Sequence, residues 1–172
     1  MTIPISAQGT APNTISLLLG HPDPTTLLLP ELREAMQRVI DDPHASTLLQ
    51  YGPEQGTQSL IEVLRDKIQR EQGCLLQSAN LMIVAGSTHA VDMLARLYAG
   101  AGSVVLVEAP TYVDALHVLR DHQIELCAIP MDEDGLIPEA LEEQIAQLHK
   151  RGTFASMLYT VPTFHNPTGK TL

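Results

Sequence analysis

The sequence is short of positive charge. Ten lysines and arginines stand against twenty aspartates and glutamates, a formal charge of −10, and no basic cluster forms. That argues against a nucleic-acid or anionic-membrane surface. Long apolar runs are missing as well: residues 15–19 and 27–29 are split by His21-Pro22-Asp23-Pro24, and neither approaches the ~20 apolar residues of a membrane helix. Only two cysteines occur, Cys74 and Cys127, far apart and with no signal peptide ahead of them. The expectation is two reduced, half-buried thiols in a soluble, cytoplasmic protein. No His-Glu-x-x-His is present, and His117 and His122, five apart, fall off a common helix face, so no metal site is expected. Nucleotide fingerprints fail too. There is no Gly-x-Gly-x-x-Gly, and Gly169-Lys170-Thr171 lacks the earlier glycine of a P-loop because Phe164 stands there. Ser87 is not in a Gly-x-Ser-x-Gly elbow, which leaves a serine hydrolase little support.

What is present is a chain of 172 residues, 44% hydrophobic and 17% charged, enough for one domain with a real core. Residues 1–13 read as a polar arm. Pro30 opens an amphipathic helix over 31–40, and the loop Tyr51-Gly52-Pro53-Glu54-Gln55-Gly56 leads to a second over 57–72, stopped by Gly73. Strands are then expected at 81–84, 104–107, 124–129 and 155–161, alternating with helices at 90–99, 112–122 and 138–149. Short, continuous apolar strands between helices predict a parallel sheet covered on both faces.

Candidate chemistry gathers at the strand ends. Ala85-Gly86-Ser87-Thr88-His89 joins a strand to a helix start. There Gly86 permits close approach, and free N–H groups near Ser87 and Thr88 make an anion site, although the same residues also serve as an ordinary N-cap. Tyr112 follows Glu108-Ala109-Pro110-Thr111 and can either stack on a planar ring or cover the sheet edge. Tyr51 offers a phenol in a Gly/Pro-rich loop. After the last strand, Pro162 and the Asn166-Pro167 pair turn the backbone out and hold Asn166 at a strand's carboxyl end. In an open α/β sheet that is the ligand-binding edge.

Pro162 followed by Asn166-Pro167-Thr168-Gly169, with Gly86-Ser87-Thr88 and Tyr112 ahead of it, resembles the cofactor cradle of the fold-type I, class I/II aminotransferases. The likeness is to the branch handling aminoadipate, kynurenine and aromatic amino acids, and it runs from about residue 20 to 172. It implies a partial large domain of that fold, three-layer αβα with a mainly parallel sheet, over 46–172, preceded by an arm and small-domain segment over 1–45. It also implies pyridoxal 5'-phosphate as cofactor, with Ser87 and Thr88 on its phosphate, Tyr112 on its ring and Asn166 on the ring's 3-oxygen. By the same likeness Tyr51 reaches the phosphate of a neighbouring subunit in a homodimer, and Gly20 and Asn166 meet the substrate, an amino acid or 2-oxo acid. The peptides before Pro110 and Pro167 are expected to be cis. In the family, the lysine that forms the Schiff base and the acid that keeps the ring nitrogen protonated come well after the Asn-Pro-Thr-Gly motif. Lys67, Lys150 and Lys170 match no such position. The resemblance therefore implies the front part of an aminotransferase, without the catalytic lysine, inactive alone, and poorly soluble or dependent on a partner because its last strand presents an open edge. Three rival readings are another lyase or synthase of the same fold, the effector domain of a transcriptional regulator, and a Rossmann-like nucleotide binder.

Overall fold

The computed structural model describes residues 23–172, so the arm over 1–13 and Gly20 lie outside the described residues. The chain divides into two compact units, Met1–Gly52 and Pro53–Leu172.

In the first unit, α1 (Leu29–Asp41) carries Pro30 in its opening turn, where the missing N–H is no loss. Glu31 in the same turn complements the helix dipole. The apolar positions that announce this helix stay uncovered: Leu32, Met36 and Val39 are exposed. A short 3-10 turn, Ala45–Leu49, follows.

The second unit opens with α2 (Gln58–Gln72), which buries Ile61 and ends at Gly73 with φ 70°, as its spacing predicts. Residues 81–84 do not form the expected strand. They are held by a loop instead: Gln55 Nε2 donates to the carbonyls of Ser78 and Leu81, and the Ile83 N–H donates to the Gln55 carbonyl at 2.9 Å. Gly56 makes this docking feasible, since a β-carbon there would collide with the Ile83 side chain. The next helix, α3 (Ser87–Tyr98), starts at Ser87 rather than at residue 90. Its periodic apolar face is only partly used: Ala95 is fully buried, whereas Leu94 and Tyr98 are exposed.

The sheet comprises β1 (Val104–Ala109), β2 (Glu125–Asp132), β3 (Gly135–Leu136) and β4 (Ala155–Tyr159), in the order β3-β2-β1-β4. β1 is parallel to both β2 and β4, while β3 turns back antiparallel on β2. β3 escapes a pattern reading because two residues carry no period. β4 stops at Tyr159, short of residue 161, where the Val161 N–H turns to the Glu108 side chain rather than to the ladder.

The connections dictate the layers. α4 (Val113–Asp121) links β1 to β2, and α5 (Pro138–Lys150) carries the chain back across to β4. Right-handed crossovers in opposite directions place their helices on opposite faces. One core therefore joins Ala95 and Leu119 to Val105 and Val107, and the other joins Leu148 to Val104, Leu106 and Ile129. β1 lies between them, buried from Val104 to Glu108. His122 Nε2, 2.8 Å from Asp92 Oδ1, ties the end of α4 to α3 and holds the Asp92 carboxyl below its usual range. β4 forms the other end of the sheet, with β1 its one ladder partner among the described residues.

The thiols part from expectation in one respect. Cys74, just past the stop at Gly73, is exposed, whereas Cys127 is half-buried and its thiol is pushed up by burial.

Leu119 is fully buried at the α3–α4–sheet junction. Leu119→Ala should lower stability by about 2–5 kcal/mol in urea unfolding. Leu97→Ala, at an exposed position, should stay within about 0.5 kcal/mol. Equal small losses would refute this packing.

Candidate functional site

The chain builds β2 on one side of β1 and β4 on the other, so the strand order reverses at β1. Exit loops at such a reversal leave a crevice outside the carboxyl ends of the strands. Every polar feature described below lies at or beside that edge.

The first is the start of α3. Gly86 is its N-cap, with φ 89° and ψ 170°, a conformation suited to glycine alone, and no side chain caps the helix. The Ala90 N–H returns to the Gly86 carbonyl. Those of Ser87, Thr88 and His89 thus have no intrahelical acceptor. The preceding Ala85 N–H is taken by His89 Nδ1 at 3.1 Å. Uncovered donors and the positive end of a helix dipole together suit an anion.

A cavity of about 60 Å³ adjoins this helix end, lined by Ser87, Thr88, Val91, Tyr112, Ala115 and Tyr159. Larger hollows of about 260 and 420 Å³ run along α1, but only α1's own side chains line them. They are uncovered helix surface. The cavity's two phenols differ in surroundings. Tyr112 donates to Asp114 Oδ2 at 2.6 Å, and that bond raises its pKa. Tyr159 is raised first by burial and then by the nearby Glu108 carboxylate. Both rings therefore remain neutral at physiological pH, fit to stack or to donate.

The second feature is a buried carboxylate. Glu108, near the end of β1, is 2% exposed. Its Oε1 accepts from the Thr160 hydroxyl at 2.7 Å and its Oε2 from the Val161 N–H at 2.9 Å. His165, also 2% exposed, brings Nε2 to 3.2 Å from Oε2, off a hydrogen-bonding line. On the far side of the ring, Nδ1 meets the Thr168 N–H at 3.4 Å and its hydroxyl at 2.9 Å.

The third feature is the loop that follows β4. The His165 N–H donates to the Lys170 carbonyl and the Gly169 N–H to that of His165, while the Leu172 N–H closes the base on Pro162. Asn166 stands exposed in this loop, and the peptides before Pro110 and Pro167 are both cis.

Of the residues singled out by sequence, the structure brings Ser87, Thr88 and Tyr112 to one cavity and puts Asn166 on the exit loop of the adjacent strand. Tyr51 is fully exposed in the first unit, and Gly20 lies outside the described residues. Sequence reasoning passed over Tyr159, Glu108, His165 and Thr111. The Thr111 hydroxyl, next to Tyr112, is buried without a hydrogen-bond partner among the described residues. A usable signal existed for Tyr159, an aromatic at a strand end within three residues of a proline, as Tyr112 lies two residues after Pro110. The lysines sit elsewhere. Lys67 pairs with Glu71, Lys150 ends α5, and Lys170 donates to the Asp132 carbonyl.

Comparison with known proteins places this arrangement. The family model for aminotransferase class I and II matches residues 14–172. The aromatic-amino-acid aminotransferase 1 of Thermococcus litoralis is 33% identical over 160 residues, 93% of this chain and 38% of that protein. The crystal structure of the Pyrococcus horikoshii kynurenine aminotransferase, in complex with PMP, aligns with a TM-score of 0.81 at 34% identity, covering 88% of this chain and 37% of that one. The α-aminoadipate aminotransferase of Thermus thermophilus, complexed with N-(5'-phosphopyridoxyl)-L-leucine, aligns at 0.75 and 30% identity over 87% of this chain and 36% of its own. The chain thus spans well under half the length of these relatives. With the match running almost end to end of this sequence, the chain belongs to the class I and II aminotransferase family.

Proposed function

We propose that the protein acts as an aminotransferase, moving an amino group between an amino acid and a 2-oxo acid, and that this chain supplies one wall of the cofactor pocket. The family and the phosphopyridoxyl complexes of its solved relatives indicate pyridoxal phosphate as that cofactor. The observation that carries the proposal is the meeting of the uncapped α3 terminus with two neutral tyrosines in one cavity at the strand-order reversal. A phosphorylated heteroaromatic ring matches that donor set at both ends.

When bound, the cofactor supplies an electron sink for the substrate α-carbon. The chain's own residues bind and orient it. The N–H groups of Ser87 and Thr88 hold the phosphate, the Tyr112 ring stacks on the pyridine face, and the Asn166 amide donates to the 3-oxygen. Gly20 and Asn166 border the substrate. Tyr51 serves the phosphate of a second subunit in a cytoplasmic homodimer. Residues 46–172 form the first part of the cofactor-binding domain, and 1–45 the arm and small-domain segment. No lysine lines the cavity, so these 172 residues by themselves hold the ring without covalent attachment and do not turn over.

Pyridoxamine 5'-phosphate, which needs no lysine to bind, should quench tyrosine fluorescence on titration into the chain, and inorganic phosphate should compete. Tyr112→Leu should weaken binding about fivefold, as expected for losing roughly 1 kcal/mol of ring stacking. Unaltered affinity would remove Tyr112 from the site. Borohydride treatment with pyridoxal phosphate, followed by peptide mapping, should leave Lys67, Lys150 and Lys170 without stoichiometric label. Specific labelling of any one would relocate the chemistry to that lysine.

A further inference from the structure

The loop that carries Asn166 has no regular secondary structure of its own, yet the proposed role of Asn166 demands a fixed amide. Resting on that reading, we propose that Glu108 and His165 are positioning residues: a buried pair that anchors the loop to the end of β1 and so aims Asn166 at the ring's 3-oxygen. Three observations converge on this assignment.

The first is where the carboxylate spends its bonds. Glu108 lies on the central strand, and both of its oxygens accept from consecutive residues, Thr160 and Val161, where β4 leaves the sheet. Each contact spans more than fifty residues of sequence. The Val161 N–H thus goes to a side chain instead of a ladder carbonyl, and the two bonds together decide the direction in which the loop departs.

The second is the ring. His165 directly precedes Asn166 and is buried, while Asn166 is exposed. Seating the imidazole inward against Glu108 turns the next side chain outward. Nδ1 accepts the Thr168 N–H, so a neutral ring carries its proton on Nε2, the nitrogen facing Glu108 at 3.2 Å. The ring thereby bridges the end of β1 to Thr168, on the far side of Asn166.

The third is desolvation. The two side chains are each 1% exposed, and among the described residues no other charged residue is buried. A carboxylate is retained in such a place only when donors satisfy it. The donors here are the Thr160 hydroxyl and the Val161 N–H, with the His165 imidazole packed beside them.

Nitrogen-detected NMR of the 172-residue chain tests the pair without reference to turnover. His165 should show the Nε2–H tautomer, the Val161 amide should exchange slowly, and the Asn166 side-chain amide should give one sharp, well-dispersed pair of signals. In Glu108→Gln, which retains one acceptor and loses the other, the Val161 amide should exchange at least tenfold faster. The Asn166 signals should collapse toward random-coil positions, with the helical circular dichroism unchanged. His165→Gln serves where that variant fails to fold. It should leave Val161 protected and release Asn166 alone. Pyridoxamine 5'-phosphate affinity should fall about tenfold in either variant, as far as in Asn166→Ala, and the double variants with Asn166→Ala should lose no more. An ordered Asn166 amide in both variants, or an Nδ1–H tautomer in the parent chain, overturns the proposal. Failure of the parent chain to bind pyridoxamine phosphate would count against the cofactor reading instead, with the NMR still deciding the pair.

Discussion

A single buried carboxylate joins the parts of this structure that bear on chemistry. Glu108 sits near the end of β1, which is buried from Val104 through Glu108, and it takes donors from the neighbouring strand's exit. Burying a charge among aliphatic side chains is unfavourable unless its acceptor sites are filled. Removing a partner from such a buried pair typically costs about 3–5 kcal/mol. The departure of the loop from β4 is thus not a matter of local turn preference alone. It is set by an electrostatic requirement inside the sheet, and the same carboxylate adds to the burial that raises the pKa of the cavity-lining Tyr159.

The sheet's topology explains why the requirement falls where it does. Because β2 and β4 flank β1 on opposite sides, the carboxyl end of β1 has no crossover helix lying over it from both directions. That end remains open, and the chain fills it with polar groups: the N–H donors of α3, the two tyrosines and the amide loop. A helix whose N-cap is glycine forgoes roughly a few tenths of a kcal/mol, and a side-chain acceptor, that a serine or aspartate cap supplies. At Gly86 this sacrifice keeps the donors uncovered. Order in the interior and polarity at the rim are consequences of one connectivity.

Legibility in the sequence followed the range of the interactions involved. α2 was readable to within a residue because its apolar spacing and the glycine at its end are local. Ser87, Thr88, Tyr112 and Asn166 were readable because each stands within two residues of a glycine or proline that opens a helix or follows a strand. Residues 81–84 look like a strand by composition, yet Gln55 takes their backbone groups and no ladder forms. β3 and the Glu108–His165 pair leave no local trace at all. One is too short for any period, and the other joins positions that are neighbours only after the sheet has formed.

The division of labour that emerges is between rigid and directed elements. β1, α3 and α4 are fastened through two apolar cores and the Asp92–His122 pair, so the phosphate-type donors and Tyr112 inherit their positions from packing. Asn166 cannot do so, since no core residue lies within the loop except His165. Its geometry must come from polar bonds, which are directional where apolar contacts are not. A motif of asparagine, proline, threonine and glycine therefore specifies a turn but not an aim. The aim comes from the residue just before the motif and from a glutamate on a different strand.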